Sequence, residues 1–595
     1  MICWGELNSC AIFIDQVTSD RCDCLRDKCI RDYAPEKRIM VRRYHLNHVI
    51  DHAHGQLETQ LMELDSILSI RTIPHDIQYD AQNKQAMDRM AQRLIELGFD
   101  VELVDVGAKE EGTPAHYMIF ADYFSTPAKN VMLIYGHIDV LPVPESDPWL
   151  YPPFSLTQKN EKLYGRGLTN SKGPLMCWIQ AIDAWMTQTN DLPVNIKFII
   201  DGNSNVSLQL LRDVFEQRKQ FFQPVDLLVS TTNLWIAENV PMLTTCHSGY
   251  VKFELEVQSE PPPKEAKDKC PPPQCECGLQ RDPMSDLCLL LNTLTDTKQG
   301  ILVKGLHRHL LPVTQQDWDI FCQVELGIQE YKRRTGATTL PHEQSHPEFL
   351  KHRWCMPSLT LHSVKCPPKV STQSFRIPKQ VSALFSVKLV PNQSYRYVKF
   401  AVKDHLDQHY KRLKCKNPTY LRVLDQLAPS KQPRNATFNV AAIRAYKSTY
   451  NVTAAIPDTV NVCMPIINEL RRNCMKHTQV VGLPFCSMHM LPHQANESCT
   501  IEEYQRNIEL FATYLYEIAH VPAECKCTDI PDFCYTKGKA TETDFIRTLE
   551  PRDNNTHVLY EIGEMEIDRT ANVDSVLPNV KQILLGKDNS AQSLV

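Results

Sequence analysis

Glycine is scarce in this chain: 20 of 595 residues, half of the roughly 7% usual for soluble proteins. Few backbone segments can therefore take up left-handed turns or pass close to a ligand without steric cost. An excess of charge of one sign is also lacking. The formal net charge is −6, which gives no electrostatic footprint for nucleic acid. No window approaches the roughly 18 continuous apolar residues of a membrane span. Near the start, Cys10-Ala-Ile-Phe-Ile14 is too short for a secretory core and has no basic flank. These absences argue against nucleic-acid and membrane partners and make the cytoplasm the expected location.

Cysteine is plentiful, at 22 residues. It clusters at Cys22, Cys24 and Cys29, at Cys270, Cys275 and Cys277, and at Cys525, Cys527 and Cys534. None of these has the paired C-x2-C spacing of a zinc module. In a reducing compartment they read as scattered thiols. The composition, 43% hydrophobic and 23% charged, is that of a folded chain with room for roughly two to four domains.

The patterning divides the chain. Residues 1–45 are polar and lack periodicity, and read as an extension. Residues 81–98 carry Met87, Met90, Ala91, Leu94 and Leu97 at helical spacing, with Gly98 as a C-terminal stop. Short apolar runs at 101–106, 118–122, 131–135, 196–200 and 226–230 read as strands, with helices over 174–188 and 208–219. Strands alternating with helices predict an α/β domain with a largely parallel sheet. After a strand at 251–257, the Pro/Lys/Cys-rich stretch 259–278 reads as a loop. Helices at 284–297, 316–335 and 396–413, with strands at 359–364 and 381–390, form an α+β block. The α/β pattern resumes near 437. It ends in a helix opened by the capping box Thr500-x-x-Glu503. One α/β domain (46–250 and 437–520) is thus interrupted by an inserted domain (251–436), and a tail (521–595) reads as disordered.

A run of motifs carries a specific resemblance. Ile134-Tyr-Gly-His137-Ile-Asp139-Val-Leu-Pro142 is followed by Trp149, Pro153-Phe154 and Gly165-Arg166-Gly167, then by Lys172-Gly173-Pro174. Farther on come His352-Arg-Trp354, Leu389-Val-Pro-Asn392, Pro492-His493 and Asn496-Glu497. Over roughly residues 45–520 the chain resembles the di-zinc metallopeptidases of the carnosine dipeptidase, cytosolic non-specific dipeptidase and aminoacylase type. The resemblance implies a zinc-binding α/β domain interrupted by a dimerisation (lid) domain. It also implies hydrolysis of dipeptides by two zinc ions about 3.5–4 Å apart that clamp a water and the substrate carbonyl. Histidine and carboxylate ligands hold such ions, and a glutamate takes the proton from the water.

Carried over residue by residue, the resemblance implies that most of this machinery is altered. The first ligand, His137, is present, as is Asp139, which supports it. The bridging aspartate is replaced by Asn170, with Ser171 beside it. The general base falls at Ser204 and the next ligand at Asn205. A further aspartate ligand is Thr232, and the last ligand, His493, is present. An amide or hydroxyl brings no negative charge to hold two dications together, and Ser204 has no useful basicity near neutral pH. Among substrate-binding positions, Lys379 replaces a carboxylate-gripping arginine and loses its bidentate fork. Asn461-Val462-Cys463-Met464-Pro465 replaces a glycine-rich loop.

The substituted set argues against two zinc ions and leaves room for one weakly held ion on His137 and His493. The expectation is a catalytically inactive dipeptidase homologue that acts by binding a peptide or small molecule. It would work as a homodimer, or paired with an active relative through the inserted domain. Two other readings stay open at this point: an active but altered zinc metallodipeptidase, and a structural or storage protein.

Overall fold

The computed structural model describes residues 35–106, 115–204, 208–231, 234–237, 240–259, 281–296, 300–366, 377–454, 465–522 and 558–559. All three cysteine clusters, Asn205, Thr232 and Cys463 lie outside them.

The first sheet has six strands, in the spatial order Asp100–Asp105, Tyr117–Tyr123, Asn195–Asp201, Val131–His137, Leu227–Ser230 and Gln479–Gly482. The last four run parallel, and the first two form an antiparallel edge. Val131–His137 and Asn195–Asp201 are buried at every position, as a strand covered on both faces must be. Side chains alternate between two cores with the period of two that a strand imposes. Met132, Ile134, Phe198, Ile200 and Val481 enter one core, while Leu133, Tyr135, Ile199 and Val480 enter the other. Helices Asp80–Glu96, Lys172–Thr189, Thr437–Tyr450 and Ile501–Ala519 cover the first face, and Leu208–Gln217 and Pro465–Asn473 the second. Trp178 stacks on Phe511 with ring centroids 4.3 Å apart and planes 5° from parallel. The expected capping box is present: Thr500 Oγ1 accepts from Glu503 N–H, and Glu503 accepts from Thr500 N–H.

A second sheet is built from Ser358–Lys365, Gln380–Leu389, Gly249–Gln258 and Thr419–Leu427, all antiparallel. Its own core joins Phe253, Leu255 and Phe385 to Leu287, Leu290 and Val402 of helices Pro283–Leu291 and Tyr395–Leu413. This is the expected α/β architecture with an α+β block inserted in it.

Several details differ from the sequence reading. The helix Pro35–Gly55 crosses the boundary set at 45. The helix read over 316–335 is two, Gln315–Gln323 and Ile328–Thr335, because the extended backbone of Val324 and Gly327 interrupts it. The helix read over 284–297 stops at Leu291, and Thr295–Asp296 pairs with Gly300–Ile301 instead. Phe321, Tyr331, Phe349 and Trp354 of the inserted block join the core of the first sheet, so the two blocks share apolar packing. Within the tail, Val558–Leu559 pairs in parallel with Thr419–Tyr420. Among the described residues, no helix is long and apolar enough to cross a membrane.

Candidate functional site

The carboxyl ends of parallel strands are where α/β sheets place their ligands, and the retained motif residues gather there. His137 ends its strand opposite Asp201 of the neighbouring strand, and the chain beyond Asp201 brings Ser204 back over it. His137 Nδ1 meets Asp139 Oδ1 at 2.8 Å. Ser204 donates twice to the same carboxylate: Oγ to Oδ2 at 2.9 Å and N–H to Oδ1 at 3.1 Å. Burial works against both charges of the His137–Asp139 pair, and their mutual attraction outweighs it. The His137 imidazole is held above its ordinary value and the Asp139 carboxyl below its own, with Ser204 helping.

Asn170 and His493 form a second pair. Asn170 Nδ2 lies 2.8 Å from His493 Nε2, so a neutral imidazole accepts from the amide. Enclosure by protein holds the His493 imidazole below its ordinary value, and His137 and Arg166 add to that against Asp139. The amide Oδ1 of Asn170 is buried and has no hydrogen-bond partner among the described residues. The Asn170–Ser171 peptide is cis, and Ser171 Oγ donates to the carbonyl of His137.

A buried carboxylate that sequence reasoning gave no role organises this turn. Glu497 is fully buried. It accepts from Thr169 N–H and Oγ1, each at 2.8 Å, from Gly167 N–H at 3.2 Å and from Asn170 N–H at 3.3 Å. The Arg166 guanidinium lies 3.2 Å away, itself only 2% exposed. Burial pushes the Glu497 carboxyl above its ordinary range despite these donors. The glycines serve the same turn. Gly167 sits at φ +88°, and a Cβ on Gly173 would fall 1.8 Å from the Leu168 carbonyl oxygen. Lys172 is buried and donates to the carbonyls of Ile67 (3.0 Å) and Ile70 (2.6 Å), its amine brought down to about 7 by burial. The signal for Glu497 and Lys172 was charge placed inside a motif whose neighbours are buried. It was visible in the sequence but pointed to no partner.

A cavity of about 350 Å³ opens beside Asp139, walled by Ile73, Pro74, His75, Tyr79 and Leu141. Lys379 is exposed immediately before the strand Gln380–Leu389 of the second sheet, and its backbone carbonyl accepts from Ser259 N–H at 2.9 Å. The structure thus brings together His137, Asp139 and Ser204, and separately Asn170 and His493.

The sequence matches the model of peptidase family M20/M25/M40 over residues 133–517. The chain belongs to that family. Among its M20 relatives, the Beta-Ala-His dipeptidase of Mus musculus is 30% identical over 73% of this chain and 87% of that protein. The Cys-Gly metallodipeptidase DUG1 of Saccharomyces cerevisiae is 28% identical over 73% and 90%. The crystal structure of human carnosine dipeptidase 1 superposes with a TM-score of 0.64 at 28% identity, over 80% of this chain and 98% of that one. The fold is therefore that of dipeptide-hydrolysing M20 enzymes, a family that generally binds zinc.

Among the described residues, no group of three or more His, Cys, Asp or Glu side chains converges to hold an ion. The Nε2 atom of His493 is taken up by an amide nitrogen, which has no lone pair to offer a metal. Position 204 presents a hydroxyl that donates to Asp139, where a base would have to accept.

Proposed function

We propose that this chain is a catalytically inactive M20 dipeptidase homologue that acts by binding a peptide or small molecule in its cleft. The observation that carries this reading is the pair of donor contacts: Asn170 into His493 at 2.8 Å and Ser204 into Asp139 at 2.9 Å. The first engages an imidazole that a di-zinc hydrolase would turn toward metal, and the second puts a hydroxyl donor at the position where such an enzyme carries its base. Loss of a positioned base costs about 10²–10⁴ in rate. Loss of the metals removes both the Lewis acid and the activated water. The cytoplasm is the chain's location in this reading, and a homodimer or a pairing with an active relative is its assembly.

Zinc stoichiometry of the purified chain, measured with hydrolysis of Cys-Gly and β-Ala-His, tests this. The expectation is less than one tightly held zinc per chain and no chelator-sensitive turnover. Two tightly held ions with chelator-sensitive hydrolysis would establish instead an altered metallodipeptidase. That second reading is favoured by the retained histidines and by the buried Glu497 frame around position 170. Under it, Asn170→Asp, Ser204→Glu, Asn205→Glu and Thr232→Asp together raise turnover above that of an already active wild type.

A further inference from the structure

Two stretches of chain join the sheets and cross side by side. One leaves the first sheet at Thr244, which bridges to Gly482, and enters the second at Gly249. The other leaves the second sheet at Leu427 and runs to the helix Thr437–Tyr450. They are pinned by a reciprocal pair of backbone hydrogen bonds: His247 N–H to the Ser430 carbonyl at 3.0 Å, and Ser430 N–H to the His247 carbonyl at 2.9 Å. They are also pressed together. A Cβ on Gly249 would stand 2.3 Å from the Leu427 carbonyl oxygen and 2.5 Å from Pro429 N.

The His247 ring lies in this crossing, 2% exposed. Neither of its nitrogens has a hydrogen-bond partner among the described residues. Buried polar atoms are nearly always paired, and an unpaired one is costly. A charged ring here would be costlier still. The helix Pro465–Asn473 packs on the return stretch through Asn468 Nδ2, which donates to the Ala428 carbonyl at 3.3 Å. Its Arg471 is the charged group that acts on the imidazole, and burial with Arg471 brings His247 down to about 4. The acidic residue of that helix, Glu469, is engaged by Arg212 at 3.2 Å and Arg472 at 3.3 Å.

We propose that His247 is a proton-operated release of the crossing: neutral, it leaves the two stretches paired; protonated, it parts them and loosens the second sheet from the first. The release is independent of whether the cleft hydrolyses peptides. The folded chain binds the proton less readily than the unfolded chain does. The stability this group supplies is therefore whole above 6.5 and is lost as the pH falls toward about 4.

Hydrogen exchange of the full-length chain between pH 7 and pH 4.5, corrected for intrinsic chemical exchange, reads the effect at 244–249 and 428–432. Wild-type protection in these segments should fall by roughly thirtyfold by pH 5 beyond any fall in the core strands. His247→Leu should remove that excess, and Arg471→Met should shrink it. An equal fall in wild type and His247→Leu would overturn the proposal. Titration of the wild-type His247 ring by NMR of ¹³C-histidine protein serves even if the variants fail to fold: a midpoint well below 6.5 that coincides with the loss of protection at 244–249 and 428–432 supports the release, and a ring that titrates while that protection is unchanged refutes it.

Discussion

Glu497→Gln separates the charge of the buried carboxylate from its shape. In the wild type, Oε1 accepts from Thr169 N–H, Thr169 Oγ1 and Asn170 N–H, and Oε2 accepts from Gly167 N–H and faces Arg166. A glutamine keeps one acceptor oxygen. Its NH₂ must then stand against either Gly167 N–H and Arg166 or the Thr169 and Asn170 donors, so donors face donors in both orientations. Arg166 keeps the Gln494 carbonyl at 3.3 Å and the Trp149 ring, whose centroid is 5.1 Å away, but it loses the countercharge that Glu497 supplies. Breaking a buried pair by removing one partner costs about 3–5 kcal/mol. The carboxylate is itself strained by burial, as its raised pKa shows, so a neutral amide recovers part of that cost. The expected loss is about 3 kcal/mol, a large share of a typical domain's stability. Urea unfolding followed by tryptophan fluorescence measures it. The double variant Arg166→Met/Glu497→Gln should recover at least half of the loss, because no charge is then left alone. A single-variant loss below about 1 kcal/mol, or a double variant as costly as the sum of the singles, would refute the claim that this pair holds the turn.

Gly173→Ala should abolish soluble expression, since its Cβ would overlap the Leu168 backbone; soluble protein with wild-type stability would contradict the close approach. Phe511→Ala removes the ring stacked on Trp178 and should cost about 3–5 kcal/mol in the same urea assay. Thr500→Ala, which breaks the capping box, should cost about 1 kcal/mol. The His137–Asp139 pair has two pH limits. Asp139, held low, supplies stability that is present above its ordinary 3.8 and is lost as the pH falls through its lower folded value. His137, held high, supplies stability that is whole below 6.5 and is lost as the pH rises through its raised folded value. The stability difference between wild type and Asp139→Asn should therefore be largest between those limits, and a difference that does not vary with pH would count against the ion pair.

What the sequence made legible was whatever repeats with a period or carries a motif. Val131–His137 and Asn195–Asp201 showed as apolar runs because both faces are covered. Ile501–Ala519 showed as one apolar stripe behind its capping box. His137, Asp139 and His493 showed because their spacing to Gly165-Arg166-Gly167 and to Asn496-Glu497 is that of a known family. Less legible were the features that depend on long-range pairing. Nothing local joins Asn170 to His493 or Thr169 to Glu497, more than 320 residues away. The break in the inserted helix at Val324–Gly327 has few local signals beyond one glycine. The sharing of Phe321 and Trp354 with the first core depends on how the inserted block docks, which no periodicity encodes. The glycine shortage found partial meaning: Gly167 and Gly173 are kept where the turn leaves no room for a side chain.

The turn that presents position 170 is held from behind, by Arg166, Gly167, Thr169 and Asn170 donors converging on Glu497. An engineer could therefore treat this turn as a socket whose back wall is set by Glu497, and change the side chain of residue 170, a position that lends that wall only its backbone N–H, without touching it.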